Sequence, residues 1–478
     1  VKKLLALLLL VALPASAREP VRAPHAMVSC VSEIASRVGA DVMKKGGNAV
    51  DAAVAVAFTL AVVWPEAGNL TGGGFMLVRT ADGKINAVDY RERAPLAASR
   101  DLYLDKHGNV IPHASTVGYR AAGVPGTVAG LAFVQKKYGK LKWAQLVEPA
   151  RKLASEGFVV SHFLATRMND KEILDKLKLF DESVRVYMHN DGTPLREGET
   201  FKQPDLAATL ARIQANPADF YKGALAKTIV ADVKAHGGLI TLKDLAAYHP
   251  IERKPLIGHY RGLDIVTFPP PSSGGVVLIE SLNMLGAHDV KNEGAHLLLE
   301  VMRRAFADRA KWLGDPDFVK VPTSGIVNAK YAAARMCDYD PEHASSSAAV
   351  ARTSDPRAYE SPETTHFTII DRDGNVVTNT FTLNDSFGSG ATIKGTGMLL
   401  NDEMDDFSTK PGVPDTYGLL TSESNAIAPR KTPLSSMTPT IVMKDGKVWF
   451  ALGSPGGPRI ITAVMQVLLD IVDGGMNI

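Results

Sequence analysis

The chain has 478 residues, 45% of them hydrophobic, and 53 Lys and Arg against 51 Asp and Glu, for a formal charge of +2. Such a length and apolar share suffice for one large core or two to three smaller ones. A charge so close to balance argues against nucleic acid or an anionic membrane surface as a partner.

Lys2-Lys3, the apolar run Leu4 to Leu13 and Ala15-Ser16-Ala17 follow the order of a secretory signal: basic region, apolar stretch, small-residue cleavage site. The apolar run is too short to span a bilayer. Residues 1–17 are therefore expected to be removed, leaving no stable membrane anchor and a periplasmic or secreted chain that begins near Arg18. Cys30 and Cys337 could form one disulfide but no framework.

Residues 47–65 predict a buried helix with a polar first turn and a stop at Trp64-Pro65. Gly72-Gly73-Gly74 lacks the spacing of a dinucleotide or phosphate-binding loop and is read as a turn needing bare backbone. A hairpin follows, from Phe75 to Val78 and from Ile85 to Tyr90 across Asp82-Gly83. Helical periodicity marks 125–157, 204–215, 225–237 and 294–313, the last closed by Gly314 as a left-handed cap. Pro269 to Gly275 forms a loop before another apolar helix, with Gly274 and Gly275 allowing close backbone packing. Residues 338–363, rich in Ser, Ala and Pro and without apolar period, predict a flexible connector.

Beyond it the composition turns to strands: Thr365 to Asp371, Val376 to Leu383, Met398 to Leu400, Thr440 to Lys444 and Val448 to Leu452. A final helix, 459–472, has Pro458 at its first position. Glu363-Thr364-Thr365-His366 stands at the head of the first of these strands. A threonine in that position can become a new chain terminus whose α-amine serves as base for its own hydroxyl. Asp371-Arg372-Asp373-Gly374 fits a three-residue hairpin loop with a G1 bulge, which sets Asp371 opposite Asn375 and Thr364 opposite Thr382. Asn384, two residues beyond, is then expected on the same face. A two-residue loop would instead throw Thr382 to the other face. His366 is read as structural, because the terminal amine already supplies a base. The twelve histidines show no HExxH spacing, and neither a metal nor another cofactor is expected.

The run from Thr364 to Ser408, with Leu434-Ser435-Ser436-Met437, Gly453-Ser454-Pro455-Gly456-Gly457 and Asp89-Tyr90-Arg91-Glu92, resembles the γ-glutamyltransferase (γ-glutamyl transpeptidase) family. The resemblance extends from about residue 25 to the end. It implies an α+β N-terminal nucleophile hydrolase, an αββα sandwich of two stacked, mainly antiparallel sheets flanked by helices. It also implies a precursor that cuts itself between Glu363 and Thr364 into a large subunit, 18–363, and a small one, 364–478, which form a heterodimer. The family continues beyond the last residue here, so the end of the small subunit is expected to be missing.

Carried over by position, Thr364 is the nucleophile, Thr382 hydrogen-bonds its hydroxyl, and the amides of Gly456 and Gly457 hold the oxyanion. Asn384, Glu403 and Asp406 would hold the substrate α-ammonium; Arg91, Ser435 and Ser436 would grip the α-carboxylate. Tyr417 lies in a stretch, 410–433, that matches a lid over the glutamate pocket. The implied reaction takes the γ-glutamyl group from glutathione and related amides and passes it to water, amino acids or dipeptides. The alternatives are a cephalosporin or glutaryl amide acylase of the same fold, an inactive truncated proprotein, and a binding protein for γ-glutamyl peptides.

Overall fold

The computed structural model describes residues 21–352, 365–412, 422–457 and 459–477. Two antiparallel sheets dominate. The first has six strands in the order Met27–Cys30, Thr365–Ile370, Val376–Thr382, Gly73–Arg79, Ile85–Asp89 and Ile251–Arg253. The second has four: Lys447–Leu452, Thr440–Lys444, Leu263–Thr267 and Leu256–Tyr260.

Alternation along the strands explains why the sheets stack. Phe75, Leu77 and Ala87 turn one face of the first sheet into a core cluster that also holds Phe268 and, from the two faces of the second sheet, Ile265, Ile441 and Val442. The rings of Phe75 and Phe268 meet there at 4.5 Å. Met76, Val78 and Val88, the alternate residues, join a core formed with the helices Ala49–Val63 and Trp143–Glu156. Helices Gly274–Leu285 and Arg459–Val472 supply apolar residues from outside the second sheet. The result is the expected αββα layering.

The helix Ala49–Val63 is buried at every position, so it has no polar face and relies on its cap. Asn48 Oδ1 accepts from the Asp51 amide and Asp51 Oδ2 from the Asn48 amide, both at 3.0 Å. This is a reciprocal capping box. Asp371, in the loop of the central hairpin, accepts from the Ala49 amide at 2.9 Å and from the Asn375 amide at 3.0 Å. One carboxylate therefore orders the hairpin loop and fixes the start of the buried helix.

Several sequence expectations need correction. Residues 125–157 form two helices, Thr127–Tyr138 and Trp143–Glu156, divided near Gly139, where a Cβ would lie 2.6 Å from the Gln135 carbonyl oxygen. The 294–313 helix runs from Val290 to Trp312 with non-helical backbone at Gly294. It ends on an extended Leu313, and Gly314 is instead bare because a Cβ there would sit 2.4 Å from the Ser424 carbonyl oxygen. Gly73 and Gly74 belong to a strand, not a turn. Their bare backbone is still required, since a Cβ on Gly74 would come within 2.5 Å of Phe381 Cβ.

The segment 338–363 is not wholly a connector. Ser347–Arg352 is helical, and Arg304 holds Asp338 and the Ser345 hydroxyl at 2.8 and 3.0 Å. Residues 353–363 lie outside the described residues. The hairpin of Leu256–Tyr260 and Leu263–Thr267 carried little sequence signal because its loop is Arg261-Gly262, both at positive φ. The common Asn-Gly or Asp-Gly signature of that turn is absent.

Candidate active site

The central hairpin has the register expected from a three-residue loop. Gly374 donates to the Asp371 carbonyl at 3.1 Å, Asp371 donates to the Asn375 carbonyl at 3.1 Å, and pairing runs from Ile370 with Val376 to Thr365 with Phe381. Glu363 and Thr364 lie outside the described residues, as do Tyr417 and residues 1–17. Thr382 is 3% exposed and sits opposite Gly73 on the next strand. Its hydroxyl accepts from the Asn384 amide at 2.9 Å, and its carbonyl accepts from Asn69 Nδ2 at 2.9 Å. Extended alternation stops at Thr382, because Asn384 has φ of 80°. Asn384 therefore does not continue the strand face; its amide group donates to the Asp402 carbonyl at 3.2 Å.

His366 and Gly453 join this hairpin to the Gly453–Gly457 turn. A Cβ on Gly453 would lie 2.2 Å from His366 Cε1. The imidazole is held by the Thr380 and Thr368 hydroxyls at 2.9 and 3.0 Å. Burial pulls its pKa down to about 3, so the ring is neutral at ordinary pH, as expected of a structural histidine. Gly453→Ala forces the ring aside and is expected to destabilise the fold by about 1–3 kcal/mol. A lower urea midpoint at unchanged slope would report this, and an unaltered midpoint would contradict the packing.

Gly456 and Gly457 follow at φ 122° and 54°, and the first of these is a backbone shape suited only to glycine. Their carbonyls accept from the Arg459 and Ile460 amides, both at 3.1 Å, which ties the turn to the start of the helix Arg459–Val472.

The other expected residues gather around Arg91. Its guanidinium, 1% exposed, is ion-paired with Glu403 and Asp406 and lies 3.8 Å from Glu92. Glu403 and Asp406 come from one short 3-10 turn, Glu403–Asp406. Asn401 orders its approach by accepting from the Glu403 amide at 3.0 Å and from the Gly123 amide at 2.8 Å. Desolvation works against the Arg91 charge, but Glu403, Asp406 and Glu92 outweigh it and hold the group above its usual range.

Glu92 and Glu403 are both 0% exposed beside Arg91, so both carboxyls are stripped of water, which favours their protonated forms. Burial pushes Glu92 up to about 7, against the pull of Arg91. Burial and the neighbouring carboxylates lift Glu403 well above the carboxylate range. Asp406, with 24% of its side chain exposed, is raised by desolvation and partly restored by Arg91 and then Arg309.

Ser435 and Ser436 are nearly buried in the segment before the strand Thr440–Lys444. The Ser435 hydroxyl accepts from the Met437 amide at 3.2 Å, and the Ser436 hydroxyl accepts from Arg309 Nη2 at 3.0 Å. The Ser435 carbonyl accepts from the Ser273 amide at 2.7 Å. That contact needs the glycines after Ser273: a Cβ on Gly274 would be 2.1 Å from Thr438 Oγ1. Arg91, Glu403, Asp406 and, through Arg309, Ser436 thus form one electrostatic cluster. Sequence reasoning missed Arg309, Asn69 and Asn401, which sit in no local motif and act through partners distant in the chain.

Such a cluster suits a small zwitterion. A carboxylate can take the Arg91 fork while an ammonium takes Glu403 and Asp406, so that the two internal ion pairs of Arg91 are exchanged for pairs with the ligand. Among the described residues no group of His, Cys, Asp and Glu is arranged to hold a metal ion, and Cys30 and Cys337 are free thiols.

Comparison with known proteins agrees with this geometry. The family model described as Gamma-glutamyltranspeptidase matches residues 35–478. The chain is 46% identical over 468 residues to the glutathione hydrolase proenzyme of Escherichia coli strain K12, covering 96% of this chain and 80% of that protein. The crystal structure of Helicobacter pylori gamma-glutamyltranspeptidase aligns with TM-score 0.67 and 42% identity, covering 69% of this chain and 96% of that one. A cephalosporin acylase from Bacillus halodurans aligns with TM-score 0.82 and 27% identity, covering 97% and 84%.

Proposed function

Because the chain belongs to the gamma-glutamyltranspeptidase family, we propose that it is a self-processing γ-glutamyl transferase and hydrolase acting on glutathione and related amides. The observation that carries the substrate class is the buried Arg91 held between Glu403 and Asp406. These groups suit the α-carboxylate and α-ammonium of a glutamyl donor.

In the precursor, the Thr364 hydroxyl attacks the Glu363 carbonyl and displaces the Thr364 nitrogen, which takes up a proton, in an N-to-O acyl shift; water then hydrolyses the ester, leaving Glu363 as a carboxylate and Thr364 as a new amino terminus. The freed α-amine, with an ordinary pKa near 8, takes the proton of the Thr364 hydroxyl. That oxygen attacks the donor γ-carbonyl, forming a γ-glutamyl ester and expelling the amine. Amides of Gly456 and Gly457 stabilise the oxyanion, at about 3 kcal/mol per donor in comparable acyl transfers. Water, an amino acid or a dipeptide then resolves the ester. Large and small subunits, 18–363 and 364–478, remain together as a heterodimer.

The signal-like residues 1–17 support export to the periplasm or beyond, and no helix among the described residues is long and apolar enough to cross a membrane. The structural likeness to the cephalosporin acylase supports a second reading, an amide acylase of the same fold, for which a glutaryl amide without an α-ammonium is the discriminating substrate. Release from γ-glutamyl and glutaryl p-nitroanilides separates the two. The glutaryl compound is expected to show kcat/KM at least about 100-fold lower, since Glu403 and Asp406 are left without their cation. Equal or faster glutaryl release would establish the acylase reading instead.

A further inference from the structure

Arg309 lies in the helix Val290–Trp312 and is 5% exposed. Its Nε donates to the Ser273 hydroxyl at 2.8 Å and its Nη2 to the Ser436 hydroxyl at 3.0 Å. A guanidinium has donors and no acceptor, so both hydroxyls must accept from it and each must give its own proton elsewhere. For Ser273 the destination is the Ser435 carbonyl, at 2.6 Å. The Ser436 proton points away from Arg309 for the same reason. Ser435, whose hydroxyl already accepts from the Met437 amide at 3.2 Å, is likewise left as a donor.

The helix is locked in rotation by the residue just before. Asp308, 0% exposed, accepts from Arg335 Nε at 2.8 Å and from the Tyr331 hydroxyl at 3.0 Å. Successive helical side chains diverge by about 100°, so Asp308 anchors the helix to the second core while Arg309 reaches the two serines.

We infer that Arg309 is a positioning residue for the α-carboxylate of the donor: it holds the Ser436 hydroxyl directly and, through the Ser273 hydroxyl on the Ser435 carbonyl, fixes the backbone that carries both serines. This rests on the reading of Ser435 and Ser436 as carboxylate binders. Arg309 itself need not touch substrate.

Equilibrium binding of L-glutamate, which carries both α-groups and needs no turnover, tests it on the full chain. Arg309→Gln should weaken binding roughly 10- to 100-fold, as expected for a lost charge-assisted hydrogen-bond relay. Arg309→Lys, which keeps the charge and loses the fork, should fall between, and Ser273→Ala should weaken binding more modestly. In the γ-glutamyl anilide assay the same variants should raise KM with kcat little altered.

Unchanged L-glutamate binding in Arg309→Gln overturns the proposal. So does weaker binding only in step with a lowered melting temperature, with Arg309→Lys and Ser273→Ala binding as the parent does, because that pattern marks a purely structural arginine. If the parent chain binds L-glutamate but neither cuts itself nor turns over, the enzymatic function fails while the role of Arg309 stands. If the parent does not bind L-glutamate, both fall.

Discussion

Thr364→Ala is expected to leave the chain in one piece and to reduce γ-glutamyl anilide turnover by on the order of 10⁴-fold or more, the scale of losing an acyl-transfer nucleophile. Both effects have one cause, since the same hydroxyl opens the Glu363 carbonyl and later the donor amide. Thr364→Ser keeps the oxygen and should restore cutting and turnover in part. A denaturing gel followed by N-terminal sequencing of the smaller fragment reads the first effect, and anilide release reads the second. Two fragments from Thr364→Ala, with the smaller still beginning at residue 364, would remove self-processing by this hydroxyl. Cutting without turnover in the parent chain would separate maturation from catalysis and implicate the substrate pocket.

The central hairpin was legible in the sequence because its information is local. Asp371 and Gly374 specify the loop, the loop specifies the register, and the pairing of Thr365 with Phe381 follows. The buried helix was legible for the same reason, its cap and its stop both lying within a few residues of it. By contrast, the extension to Asn384 failed because a single residue at φ 80° ends the alternation. The hairpin Leu256–Tyr260 with Leu263–Thr267 carried little signal because its Arg261-Gly262 loop lacks the usual turn residues, and its Gly258 adds no apolar side chain to the pattern. In the fold that glycine is where Ile279 packs, and a Cβ would meet it at 2.7 Å.

Within the site, motif positions such as Arg91, Glu403 and Asp406 could be read as a set, while their mutual pairing could not. Arg91 and Asp406 are 315 residues apart, and nothing local says that the carboxylates neutralise the arginine before substrate arrives. Arg309 was invisible for a related reason. A lone arginine on a helix is ordinarily a solvated charge, and only the fold sets it against Ser273 and Ser436.

The pre-formed pairing of Arg91 makes opposite demands on two substitutions. Arg91→Gln leaves Glu403 buried without its cation, a loss expected to cost about 3–5 kcal/mol of stability besides substrate binding. Asp406→Asn is isosteric, and Arg91 keeps Glu403 as a partner, so the fold should survive while donor KM rises by about two orders of magnitude. The pH dependence discriminates further. Burial raises the Asp406 pKa from its ordinary value; as pH falls through that raised value the carboxylate is protonated and releases the donor ammonium. KM in the parent should therefore climb on the acid side, whereas Asp406→Asn should begin high and lose most of that climb. Because Glu92 and Glu403 lie beside the same Arg91 guanidinium, the limb is a property of the cluster, and a small residual slope in the variant is compatible with their titration. Kinetics from neutral pH down through the acid range with the γ-glutamyl anilide decide the matter: an Asp406→Asn enzyme with parental KM and an unaltered acid limb would show that this carboxylate does not hold the ammonium.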